Sequence, residues 1–492
     1  MGGDARSMTR MACHYGDRLR GLALVLLLTA AGAAGAQEQA RPLSGYGDVI
    51  GLTDSFLYPE FWSDQQGASR PALDLTEADR ILLSRPDIDA QNARMRAEDS
   101  SIHDLAALPA SLTRAKVKAD LDALSRWPGK PLYGEDGQPI SAEQRAAIIA
   151  NTGADAIAAS RPLQYGLVVH RAALRTFPTL LRVFSRPGDT DIDRFQESAL
   201  FPGDAVAVLH ESADGQWLFV TSERYTAWIE KRYVGVGDKA TVLGYGATEH
   251  YRVVTGATVF TTFTPEEPRV SRLQLDMGVR LPALVDWPLQ QPVNGQQAHA
   301  SYVVQLPVRN DDGSLALVPA LIARSQDTSE TYLELTPRDL YAQAFKFLGE
   351  RYGWGHSYDT RDCSGFVSEV YRSFGILMPR NTSAQAVSPA LDRIAFTAKD
   401  GKAKRMEAVN NLQPGDLVYI PGHVMLTLGH FGGNTWMIHD TAGGSWFGPD
   451  GTRVQAHLNG VSVTPLEPMM ASDTASYIDR ITNIQRMRAK TP

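Results

Sequence analysis

Cys363 stands in the run Arg361-Asp362-Cys363-Ser364-Gly365-Phe366, and His423 and His439 follow it at the ends of apolar runs. A thiol, an imidazole to take its proton and a third polar group to orient that imidazole are the parts of nucleophilic acyl transfer. The spacing puts the thiol at the start of a helix. Phe366, Val370 and Phe374 recur every fourth residue, Val367 and Tyr371 lie beside them, and Gly375 closes the run. Asp362 is the expected N-cap. In a first turn the helix dipole and free N–H groups favour a thiolate and can hold a developing oxyanion. A structural cysteine more often sits mid-helix on the apolar face.

His423 follows Pro421-Gly422 and opens a strand-like run to residue 428, while His439 ends the next run. Gly432-Gly433-Asn434 between them predicts a hairpin turn, so the two strands are antiparallel neighbours and can bring both imidazoles together. His430, beside the turn, is expected in solvent. His356, in the loop ahead of the cysteine, is placed to line the site. Asp440 is the alternative to His439 for the orienting role. No cluster of His, Asp or Glu has metal-ligand spacing, so metal hydrolysis is disfavoured and no cofactor is expected.

The rest of the chain must position these groups. Its 492 residues exceed one core. Arg18 and Arg20 precede an apolar run at 22–31 and the small residues Ala33-Ala34-Gly35-Ala36, which predicts a signal peptide over residues 1–36. An uncleaved anchor is the alternative. Cys13 would leave with that leader, so the exported chain would keep Cys363 as its one thiol, with no internal disulfide. The net charge of −7 excludes an overall attraction for nucleic acid or anionic lipid. No stable membrane insertion is expected, and the chain is expected to be a monomer.

Residues 37–160 carry helical signals: a start at Leu75-Thr76-Glu77-Ala78-Asp79 capped by Thr76, a helix over 112–127, and another over 141–151 capped by Ser141. Tyr58-Pro59-Glu60-Phe61-Trp62 predicts an aromatic docking cluster. From 161 to about 330 short β-branched and aromatic runs alternate with turn residues, at 205–209, 217–220, 225–229, 252–263 and 299–306. Seven to ten such strands predict two small barrels, at 161–238 and 239–332. Residues 333–492 place helices first and strands afterwards, an α+β domain.

The motifs resemble the NlpC family of bacterial cell-wall cysteine peptidases. Tyr352-Gly353-Trp354-Gly355, Asp362-Cys363-Ser364-Gly365-Phe366, Pro379-Arg380-Asn381-Thr382-Ser383-Ala384-Gln385, Leu412-Gln413-Pro414-Gly415-Asp416-Leu417 and Gly422-His423-Val424 occur in the family's order. The resemblance implies a papain-like catalytic domain behind a helical docking segment and two bacterial SH3-like barrels. By it, Cys363 is the nucleophile, His423 the base, His439 the orienting residue, and Tyr352 contributes its hydroxyl near the oxyanion. It further implies cleavage of the D-γ-glutamyl–diamino acid bond of peptidoglycan stem peptides, selected for a free amino-terminal L-alanine, in the periplasm or cell envelope.

On this reading Asp362, Ser364, Thr382 and Ser383 flank the cleft, while Glu197 and Tyr225 of the first barrel meet the substrate amine and a carbonyl. The chain departs from the pattern at His356, where a second glycine is common, and at Met425, where a small residue is usual. The His423–His439 interval is also longer than typical. Two other readings stay open: a wall-binding protein with weak or no catalysis, and a thiol amidase or acyltransferase on the same fold.

Overall fold

The computed structural model describes residues 51–68 and 77–489. The signal-peptide segment and the Thr76 cap lie outside them. Among the described residues no helix is long and apolar enough to cross a membrane.

The amino-terminal segment is helical, with shifted starts. Glu77–Asp79 is a turn rather than a helix. The helix begins later, at Arg85–Glu98, where Ser84 and Asp87 form a reciprocal capping box and Pro86 occupies a first-turn position. Ala142–Asn151 follows its predicted Ser141 cap. Arg114–Leu124 is shorter than its apolar pattern, because Thr113 takes the cap and Ser111–Thr113 joins a two-stranded ladder with Ser160–Pro162. Docking by the aromatic cluster is borne out. Phe56, Phe61 and Trp62 pack on Phe431 and Trp436 of the catalytic domain, with ring centroids 4.6–6.3 Å apart. Tyr58 itself points to solvent.

Residues 164–237 build a seven-stranded antiparallel sheet around an apolar interior that includes Leu174, Val206, Leu218, Val220 and Ile229. The next β-rich stretch has shorter sheets. The predicted 252–263 run divides into Tyr251–Val254 and Thr258–Phe260, since Thr255 and Gly256 leave the ladder to bond with Asp327. Ser301–Arg309 and Leu315–Ala323 form a long hairpin across the turn that contains Asp311-Asp312-Gly313.

The carboxy-terminal part places helices Pro337–Phe345 and Cys363–Arg372 before a six-stranded sheet. Phe366, Val370 and Tyr371 of the cysteine helix, with Phe374 just past its end, pack against Val424, Leu426, Leu428 and Ile438. Val418, Ile420, Met425 and Met437 face a second core on the other side of the sheet. Burial on both faces explains why these strands read as continuous apolar runs. Each fully buried aromatic or aliphatic side chain contributes about 1.5–3 kcal/mol to fixing the helix on the sheet. The thiol is thereby tied to a rigid platform.

Candidate active site

Cys363 is the first residue of its helix, and Asp362 caps it by accepting from Gly365 N at 2.8 Å. The thiol is buried. Its Sγ lies 3.6 Å from Thr382 Oγ1 and 4.0 Å from the Gly422 carbonyl, with the Val424 backbone beside it. Backbone from both sides of His423 thus touches the sulfur. His423 Nε2 faces His439 Nδ1 at 2.7 Å, and His439 Nε2 faces Thr464 Oγ1 at 2.9 Å. Nδ1 of His423 is the ring nitrogen left uncommitted by this chain of bonds.

The strands dictate this alignment. His423–Phe431 pairs with Asn434–Thr441, and Gly432 and Gly433 both take positive φ in the two-residue turn that right-handed strand twist favours. The register sets His439 diagonal to His423, with Thr464 diagonal on the next strand. A register shift at Thr427/Gly429 and the lengthened hairpin absorb the extra residues between the two histidines. Asp440, one residue on, points to the opposite sheet face and does not join the imidazoles. His430 is exposed yet not left to water, since it bonds to the Leu412 carbonyl and to Thr435.

The site is held electrically neutral. Burial pushes the Cys363 thiol up to about 12, with the Asp362 charge adding to the effect and the Thr382 and Val424 bonds opposing it. Burial lowers His423 to about 4 and His439 well below the usual imidazole range. The site therefore holds a thiol and neutral imidazoles at pH 7, despite the helix start. Burial also raises the Tyr352 hydroxyl, with the charges of Cys363 and Asp362 contributing.

Arg380 is the hub that the sequence left in the background. Its five N–H groups go to Ser198 Oγ (2.6 Å), both oxygens of Asp362 (3.1 and 2.8 Å), Ser364 Oγ (2.9 Å) and His356 Nδ1 (2.8 Å). Burial raises the Asp362 carboxyl, but Arg380 outweighs it and holds Asp362 at about 2. Ser364 is buried inside this cluster. His356 does not line the cleft as expected; it is buried. A guanidinium can only donate, so His356 Nδ1 accepts and its Nε2–H donates to Glu369 at 2.9 Å. These bonds hold His356 at φ +65°, which explains why a glycine is common there. The ring sits so close to Gly365 that an added Cβ would lie 2.7 Å from it.

Behind this cluster Arg361 is fully buried. It donates to Glu369 (2.8 Å), Glu350 (2.7 Å), Asp276 (2.6 Å) and the Ala257 carbonyl (2.8 Å). Arg171 from the preceding sheet also approaches Asp276, at 3.3 Å, and donates to the carbonyls of His356 and Thr360. The loop ahead of the cysteine is thus sewn to both β-rich bodies.

Glu197 and Tyr225 come together in the first of these bodies. The Tyr225 hydroxyl donates to Glu197 Oε2 at 2.5 Å, and Thr176 donates to Oε1 at 2.5 Å. Tyr225 lies near the Asn381 side chain, one residue before Thr382. The Tyr225 proton is committed to Glu197. Ser383 is exposed and has no hydrogen bond to the thiol cluster. Thr464 and Glu369 were legible only as a strand threonine and an acid inside an apolar helix. Among the described residues no group of His, Cys, Asp and Glu is arranged to hold a metal ion.

Comparison with known proteins agrees with this geometry. Residues 349–449 match the NlpC/P60 family model and residues 182–230 match the SH3 domain of the SH3b1 type. A probable endopeptidase p60 of Listeria seeligeri is 37% identical over 102 residues, 20% of this chain and 17% of that protein. A gamma-D-glutamyl-L-lysine dipeptidyl-peptidase of Bacillus cereus is 27% identical over 241 residues, 47% of this chain and 61% of that protein. The chain therefore spans less than two thirds of either relative. An NlpC/P60 endopeptidase structure from Photobacterium damselae subsp. piscicida superposes with a TM-score of 0.66 at 16% identity, covering 84% of this chain and 95% of that one. Cys363, His423 and His439 thus lie in an NlpC/P60 family domain, papain-like in fold, which follows an SH3b domain in the same chain.

Proposed function

We propose that this protein is an exported, monomeric cysteine peptidase that cuts murein stem peptides at the D-γ-glutamyl–diamino acid bond. The observation that carries the reading is the thiol at a helix start, bracketed by backbone on either side of an imidazole whose far nitrogen bonds to a second imidazole. Cys363 passes its proton to Nδ1 of His423, and the thiolate attacks the γ-carbonyl carbon. The Cys363 amide and the Tyr352 hydroxyl hold the oxyanion. His423 then gives the proton to the leaving amine, and water releases the thioester by the same route in reverse.

Glu197 is the group that receives the free ammonium of L-alanine, with Tyr225 and Thr176 orienting its two oxygens. Asp362 and Ser364, fixed by Arg380, form the cleft floor, while Thr382 and Ser383 form its rim. The name of the Bacillus cereus relative supports a γ-glutamyl substrate, and its shared length reaches beyond the catalytic domain. A periplasmic or cell-envelope location follows from the same substrate.

Mass spectrometry of reduced enzyme with L-Ala-γ-D-Glu-diamino acid peptides, and separately with intact murein, tests the reading. Release of the L-Ala-γ-D-Glu dipeptide supports it. Intact peptides overturn it in favour of a wall-binding role. Transfer of the acyl group to an added amine without hydrolysis favours an acyltransferase.

A further inference from the structure

A cavity of about 770 Å³ lies away from the thiol, where the amino-terminal helix, both β-rich bodies and the far end of the cysteine helix meet. Arg372 on its wall is the last residue of the helix that Cys363 begins. Ten residues of helix put about 15 Å between the two ends. That wall of the cavity is therefore remote from the thiol, while Arg224 on another wall adjoins Tyr225.

Five arginines line it, Arg85, Arg96, Arg224, Arg280 and Arg372, against Asp89, Asp104, Asp204 and Glu223. The acids are mostly engaged. Asp204 pairs with Arg372 at 3.0 Å, Glu223 pairs with Arg96 at 2.9 Å, and Asp104 accepts from the amides of Ala106 and Ala107. Asp89 is exposed at the cavity rim. Arg280 lies over the Tyr251 ring at 3.8 Å and Arg85 over Tyr332 at 5.3 Å, and each also donates to one backbone carbonyl, of Thr248 and Leu333.

Arg224 is the exception. Among the described residues it makes no hydrogen bond and no ion pair. It lines the cavity, and burial together with the neighbouring Arg372 cation pushes it down to about 10. Nη1 of Arg372 and Nε of Arg280 also lack acceptors. Arg224 is half-buried beside a second cation, and the nearby carboxylates of Asp204 and Glu223 are paired with Arg372 and Arg96, so an anion in the cavity would complete its fork. Arg361, by contrast, is buried with all its partners supplied by the chain.

We propose that this cavity is a binding site for a small anionic ligand with at least two acidic groups, carboxylate or phosphate, whose recognition centres on the unpartnered guanidinium of Arg224. Guanidinium forks bind both groups bidentately, and the cavity volume suits a molecule of metabolite size. The site does not depend on the peptidase reading.

Isothermal titration of the full-length protein with citrate and with pyrophosphate tests it, and the two probes distinguish a carboxylate source from a phosphate source. We expect at least one to bind at about millimolar concentration or below, and Arg224→Gln to weaken it by about tenfold or more. Arg224→Lys should keep the charge but lose most of that affinity. Without ligand, Arg224→Gln should melt at the same temperature as the parent or higher, since it gives up no protein partner. Binding of neither probe overturns the proposal, as does equal binding to parent and Arg224→Gln. A drop of several degrees in the ligand-free variant would show a structural arginine instead.

Discussion

Nε2 of His423 and Nδ1 of His439 lie 2.7 Å apart, and a single proton must be shared between them. If His423 is to accept from the thiol at Nδ1, its own hydrogen must sit on Nε2 and point at His439. That leaves His439 Nδ1 as acceptor and its Nε2–H as donor to Thr464. The orienting histidine therefore works by tautomer as well as by position. His439→Ala should lower kcat by roughly 10²-fold or more, whereas His439→Gln, which can offer an oxygen to the same hydrogen, should recover part of it. Steady-state kinetics on a γ-glutamyl peptide decides this; equal loss in both variants would assign His439 a packing role only.

Cys363→Ala should abolish turnover while leaving the melting temperature within a degree or two, because the change is small and the helix cap is kept. With the thiol pushed up to about 12, alkylation by iodoacetamide should keep rising through pH 8–10. A labelling rate that levels off below pH 7 would instead show a resting thiolate–imidazolium pair.

Asp440 is buried, neither of its oxygens finds a partner, and burial with the nearby Asp362 and Glu350 charges raises it to about 9. The folded carboxyl holds its proton between pH 4 and 9 while the unfolded one has lost it. Stability from this group is complete below about pH 4 and is lost as pH rises through 9. Asp440→Asn should therefore raise the melting temperature more at pH 8 than at pH 5. Thermal melts at the two values check the sign.

The buried histidines act at the other end of the scale. His423 is lowered to about 4, so between pH 6.5 and 4 the unfolded chain takes up a proton that the folded site refuses. Stability should fall across that window, and His423→Gln should flatten it. A melting profile unchanged by the substitution would contradict the neutral site.

Arg361→Ala leaves Glu369 and Asp276 buried without their cation, which should cost about 3–5 kcal/mol. Denaturant unfolding of the intact protein measures it. Arg361→Lys should fall between the two, as an ammonium cannot span acceptors on four residues at once.

How much of this was legible in the sequence follows from which interactions are local. The cysteine helix, its Asp362 cap and the histidine hairpin are set by spacing and turn residues, and all three are found where the pattern puts them. The Thr464 partner could not be read, because it depends on the register of a strand that arrives after an intervening hairpin. Arg380 looked like a loop residue because its acceptors, Ser198 and His356, are distant in the chain. His356 was misplaced for the same reason: position in a loop near the thiol does not say which way a ring turns. The helix-start argument favoured a thiolate, yet burial of the sulfur and the neighbouring Asp362 charge outweigh it.

The aromatic contact between Phe56 and Trp436 joins residues 380 positions apart. At about 5–20 residues per second of synthesis, the earlier ring waits roughly 20–80 seconds before its partner exists. Until then Phe56, Phe61 and Trp62 form an uncovered greasy patch on a growing chain. Truncated products that end before the hairpin should therefore be captured by chaperones or aggregate. The clasp that seats the amino-terminal segment can therefore close only after the histidine hairpin has been made.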